Sequence, residues 1–191
     1  EYLLWYFRHE LAHVHHCPYD IKTAYSLEHE AYKVVSDWGL AYLATLIFSD
    51  VQVNLNYLPR RFSELPYFVR VIGERDGSST DQVMREIYLC AHPTVKSENR
   101  EIAEVAREIL TVSMLDRTWH TKVQMMAHIL SRLKERNPGL FSKRRIEKYI
   151  EGHPLHVRED FVHSSLEMFT ETYGSISDEP AAKEFFKQWI S

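Results

Sequence analysis

With 191 residues, 45% of them hydrophobic, the chain is long enough to bury one full core, and a single domain over 1–191 is the expectation. A net charge of -4 with 26% charged residues argues against a dedicated nucleic-acid binder, which would be basic overall. Six glycines and seven prolines, beside abundant Glu, Lys, Leu and Ala, favour helices over a turn-rich β architecture, so the predicted fold is all-α or nearly so.

Two cysteines, Cys17 and Cys90, make no disulfide framework, which points to a reducing, cytoplasmic compartment. The longest apolar run, from Gly39 through Phe48, is about ten residues against the ~20 that span a bilayer, so no membrane association is predicted. The chain opens at Glu1 without a methionine and enters a helix almost at once; upstream sequence is expected to have been removed.

The first helix is predicted from about Tyr2 to His16, ending near Cys17 because Pro18 disfavours helical geometry in the residue before it. It contains His9-Glu10-Leu11-Ala12-His13, the pattern H-E-x-x-H. Helix positions four apart share a face, so His9 and His13 can aim two imidazole nitrogens at one metal ion. Glu10 points about 100° round the axis. That suits a carboxylate that stays off the metal and takes a proton from an activated water. Phe7, Leu11, Ala12 and Val14 are uncharged, as a buried metal-bearing helix requires. The ordinary alternative is an amphipathic core helix with two satisfied histidines. His16 shares the face of His9, yet seven residues of rise is about 10.5 Å, too far for one ion. His15 points nearly opposite His13, and both extra histidines are read as helix-end or rim residues.

From His9 to about Asn54 the chain resembles the zincin metallopeptidases. Within that range, Ile47 to Asn54 looks like the "aspartate, two residues, Val-Asn" segment that follows H-E-x-x-H in metallopeptidase domains found beside von Willebrand A-like domains. The resemblance implies that Asp50 joins His9 and His13 on Zn²⁺, with the fourth position open, and that the reaction is peptide-bond hydrolysis. Zincin proteases usually carry a sheet before this helix. Here that portion is missing or lies upstream, which leaves the edge strand that aligns a peptide substrate in doubt.

A second helical stretch from Ser26 carries Leu27, Ala31, Val34 and Val35, and a third carries Leu40, Leu43, Ala44, Ile47, Val51, Val53 and Leu58. If the chain reverses near Asp37-Trp38-Gly39, with Asp as cap and Gly relaxing the backbone, the third helix returns Asp50 to the level of His9 and His13. If 26–57 is one rod, Asp50 is carried more than ~30 Å from the turn at ~1.5 Å per residue and cannot be a ligand. Glu28 and Glu30 then compete. Glu28-His29-Glu30-Ala31 is similar to the E-x-E-A segment of the phage-repressor-cleaving zincins, although Tyr32-Lys33 departs from their continuation. Asn54, four residues after Asp50, shares its face on an α-helix and is a candidate to orient the ligand carboxylate or hold a substrate backbone group. It would serve equally to pair with a helix end. Pro59-Arg60-Arg61 is expected to end the segment.

Residues 59–191 read as a supporting helical body behind the metal-site helices of 1–58. A short helix is expected within Ser63 to Arg75, a loop at Asp76 to Ser79, and a helix with Val83, Ile87 and Leu89 ending before Pro93. Further helices are expected from Ser97, with Ile102, Val105, Ala106, Ile109 and Leu110, and from Asp116 to Arg136. Two more are expected over Asp160 to Tyr173 and Pro180 to Trp189. His92, His120 and His128 are each alone in their segments and read as core or surface histidines. Lys143-Arg144-Arg145 with Lys148 reads as a solvated face, the alternative being a phosphate-binding cluster in an adaptor or nucleic-acid-associated protein.

Two functional classes remain open. One is a zinc peptidase with His9, His13 and Asp50 as ligands and Glu10 as base, acting on a peptide or protein. The other is a non-catalytic helical interaction module in a larger assembly, its metal site structural or degenerate. A fourth protein ligand such as Glu30 or His29 would favour the second.

Overall fold

The computed structural model describes residues 2–18, 21–62, 79–91 and 100–141. The chain divides into two compact units, Glu1–Ile146 and Glu147–Ser191, and all described residues lie in the first. They form helices, with no strand among them. The expected helices within 63–75, 160–173 and 180–189, His92 and the Lys143 to Lys148 cluster fall outside the described residues.

Helix α1 spans Tyr2–His15, α2 Ile21–Val35 and α3 Trp38–Val51. A π-helical turn, Gln52–Tyr57, continues α3 into α4, Leu58–Phe62. Pro59 has no N–H to donate and its ring crowds the carbonyl one turn back. The wider turn just before it takes up that conflict, so helix runs through Pro59-Arg60-Arg61 and ends at Phe62, one residue past the stretch expected to end the segment. Then follow α5, Ser79–Ala91, α6, Arg100–Met114, and α7, Trp119–Arg136. The last begins three residues later than expected because the Thr118 side chain caps it, accepting from the Thr121 N–H.

Between α2 and α3 the chain reverses. Ser36 takes a left-handed φ of 53° and Asp37 caps α3, its carboxylate accepting from the Leu40 N–H at 3.1 Å. The left-handed position is thus Ser36, one step before the expected turn, while Gly39 lies inside the helix. Burial alone would raise the Asp37 carboxyl, but the Lys134 ammonium and the Leu40 N–H outweigh it and hold the group below its ordinary value. Tyr32 stacks on Trp38 across the bend at a 4.0 Å ring separation.

The reversal lays α3 back along α2, and α7 packs on both. Helix α3 has apolar residues on every side, so it belongs in the middle of the unit. Every residue from Leu40 to Val51 is buried. Its Phe48 meets the Trp119 ring edge-on at 5.8 Å. Helix α6 is two-faced: Ile102, Val105, Ala106 and Ile109 are buried while Glu104, Arg107 and Glu108 are exposed. The Lys122 ammonium donates to the Ser113 carbonyl at 2.8 Å, satisfying a free helix end.

Helix α1 lies against the π-helical turn and α4. The sequence suggested a buried helix, but among the described residues it is covered on one side. Leu3, Leu4, Phe7, Leu11 and Val14, on the side away from His9 and His13, are 55–68% exposed.

Candidate metal centre

An acid inside a wholly buried helix is costly unless something compensates its charge. Thr45 and Ser49, the other polar residues of α3's interior, solve the problem locally by donating to the Ala41 and Thr45 carbonyls. Asp50 solves it across the helix packing. Its Oδ1 lies 3.3 Å from Nε2 of His13 and 3.7 Å from Nε2 of His9, and those two nitrogens are 3.1 Å apart. All three residues are no more than 7% exposed.

The opposite edge of each ring is tied down. His9 Nδ1 donates to Asn54 Oδ1 at 2.8 Å, and His13 Nδ1 donates to the Cys17 carbonyl at 2.8 Å. The indole of Trp5 stacks on the His9 ring at 5.2 Å, and the two imidazoles meet at 89°. With both Nδ1 atoms donating, the two Nε2 lone pairs converge beside a carboxylate oxygen. Lone pairs that close repel unless a cation, a proton or a metal ion, lies among them.

The spacing is compatible with a metal ion. A tetrahedral zinc with bonds of about 2.0–2.1 Å holds its donor atoms roughly 3.3 Å apart. The three separations here are 3.1, 3.3 and 3.7 Å. Two imidazoles and a carboxylate are also a donor set that zinc accepts. No fourth His, Cys, Asp or Glu atom joins the group among the described residues.

Electrostatics divide the two histidines. Burial lowers the His9 imidazole, the neighbouring His13 adds to this, and Asp50 does not fully offset them. Burial acts on His13 too, but there the bond to Asp50 and its charge prevail and the pKa is raised. Cys17, buried beside them, has its thiol pushed up to about 12, chiefly by burial, with Asp50 adding to the effect against a hydrogen bond with Ser49. It stays a neutral thiol, poorly suited to bind a metal.

The sequence-predicted residues fall out as follows. His9, His13 and Asp50 are brought together, as the reversal at Ser36 and Asp37 allows. Glu10, partly exposed, is near enough for its charge to favour protonation of both imidazoles. Asn54 serves the site differently from the expectation: it holds the His9 ring. Asp50 and Asn54, four residues apart on one side of the helix, both reach His9, Asp50 at Nε2 and Asn54 at Nδ1. Glu30 does not join the three donors; it is bonded to Lys33 and, across to α7, Gln124. Glu28 is buried but does not join the three donors, and burial holds its carboxyl well above the ordinary range. His29 stacks with Tyr25 and Trp38.

The extra histidines behave as rim and surface residues. His15 is exposed, and His16 stacks on Tyr57 at 5.0 Å. His120 bonds Ser26 at 2.8 Å, and His128 is exposed. Sequence reasoning did not find Trp5, whose only signal was its place one turn before His9. It also did not find Tyr88 of α5, whose buried hydroxyl accepts from Asn54 Nδ2 at 2.6 Å.

Fold and site together define a class: an all-α unit with a buried centre of two imidazoles and one carboxylate. No protein-family model matches the chain, and neither a curated protein nor a solved structure does. No described helix is long and apolar enough to cross a membrane.

Proposed function

We propose that this chain is a zinc-dependent hydrolase, a peptidase of zincin character, with His9, His13 and Asp50 as the protein ligands. The supporting observation is the convergence of both Nε2 atoms and Asp50 Oδ1 at zinc-like separations, with each Nδ1 tied back. Zinc bound there supplies a Lewis acid that polarises a substrate carbonyl and makes water a competent nucleophile near neutral pH. Glu10 is the base: one residue along α1 from His9, its carboxylate takes the proton of the attacking water and returns it to the leaving amine. Asn54 and the Cys17 carbonyl hold the rings in the tautomer that can bind, and the Trp5 indole keeps water from the His9 face. Both cysteines are free thiols, which supports a cytoplasmic setting.

Glu10→Gln tests the assignment. The variant is expected to keep its zinc, measured by metal analysis, and to lose about 10²–10⁴-fold in peptide hydrolysis. Turnover at the wild-type rate would refute Glu10 as base. A second reading, a non-catalytic interaction module, is favoured by the exposed apolar side of α1, since such a strip invites a protein partner. Zinc bound by the wild type without hydrolysis of any member of a peptide library would select it.

A further inference from the structure

A histidine becomes a ligand only in the tautomer that leaves the metal-facing nitrogen bare, and at His9 that choice is made by Asn54. A side-chain amide is ambiguous: its oxygen accepts, its NH₂ donates, and the two ends have nearly the same shape. Facing His9 with its oxygen, Asn54 requires Nδ1–H and frees Nε2. Facing it with nitrogen would demand a bare Nδ1 and put the proton on Nε2, where the metal must bind. Something must settle which end is presented, and both neighbours of the amide are buried.

We propose that Tyr88 is the positioning residue of this centre, its hydroxyl taking the Asn54 Nδ2–H bond at 2.6 Å and so committing Asn54 Oδ1 to His9 Nδ1–H at 2.8 Å. A phenol can also donate, so its own hydrogen must be drawn elsewhere. The group facing the phenol is the Asn54 amide nitrogen, which has no lone pair to offer and can only donate, so the Tyr88 oxygen is the acceptor here. The chain of polarity runs from α5 through the π turn to α1, over residues far apart in sequence.

The zinc consequence rests on the proposed function, but the tautomer does not, so the two fail separately. Nitrogen-15 NMR of the metal-free protein, at a pH between the lowered His9 and raised His13 values, where His9 is neutral and the His13 proton lies among the donors, reads the His9 tautomer directly. The wild type is expected to carry its proton on Nδ1. Tyr88→Phe keeps the ring and removes the hydroxyl; a substantial Nε2–H population is expected, with zinc affinity lower by about 10- to 100-fold. Asn54→Asp places an acceptor-only group before His9, so in that background Tyr88→Phe is expected to leave the tautomer unchanged. A wild-type His9 with Nδ1 bare overturns the proposal without any variant. So does a Tyr88→Phe protein with an unchanged tautomer, or an effect that persists beside Asn54→Asp, which would mean that the phenol acts by packing alone. Wild-type protein showing the expected tautomer but binding no zinc would refute the proposed function and leave the relay standing.

Discussion

Zinc bound at the centre should stabilise the fold by clamping α1 to α3, and the size of that effect can be worked out. Any ligand that binds only the folded state adds RT ln(1 + [L]/Kd), about 2.7 kcal/mol at a hundredfold excess over Kd. For a unit of this size each kcal/mol shifts Tm by a few degrees, so the rise should be on the order of 5–15 °C. Calorimetry with zinc, with a chelator, and with each of Asp50→Asn and His13→Ala provides the assay. In both variants one of the three donors is lost, and the rise should shrink to near zero. The effect should also depend on pH. The metal-free fold raises the pKa of His13, so His13's own stabilising contribution is complete below about 6.5 and fades as pH climbs through the folded-state value. Zinc needs that ring deprotonated, so the zinc-induced rise should be absent at low pH and grow across the same interval. A rise of equal size in wild type and Asp50→Asn would place the metal elsewhere. No rise in the wild type at any pH would remove zinc from the account.

Two further outcomes follow from the surrounding structure. Glu28 has a raised folded-state pKa, so its contribution is whole below about 4.3 and is lost as pH rises through the folded value. Glu28→Gln has no charge to bury, and urea unfolding at mildly alkaline pH should find it more stable than wild type, with the advantage gone near pH 4; equal stability at both would contradict a neutral buried carboxyl. Ser36 sits at a positive φ that a side chain resists, so Ser36→Gly should leave the turn intact and raise stability by about 0.5–1 kcal/mol, read from the same unfolding curves. A loss would mean that the hydroxyl, rather than the backbone, matters there.

The exposed apolar side of α1 shows where reading by pattern fell short. Leu11 and Val14 are apolar and helical in spacing, and nothing local distinguishes a residue facing a core from one facing outward. Ala12, small and almost fully buried against Val53 and Leu58, marks the side that is covered. Asn54 was legible as a site residue but not its partner, because a four-residue spacing says which side of the helix Asn54 shares with Asp50 and nothing about which group of α1 meets it there. Tyr88 was illegible for a plainer reason. It stands 34 residues beyond Asn54, and a single tyrosine in an amphipathic helix looks like any other core aromatic.

The sequence alone determined what is local. Helical composition, the i, i+4 placement of His9 and His13, and the capping aspartate at the α2–α3 bend all depend on interactions within a turn or two. Packing decided which acid completes the group. Asp50, Glu28 and Glu30 are equivalent as chemical donors, and only the reversal at Ser36 and the burial of α3 bring Asp50 to within 3.3 Å of His13, while Glu30 is bonded to Gln124 of α7. A helix specifies the face of its own side chains, but the distance between two helices is set by everything that packs around them.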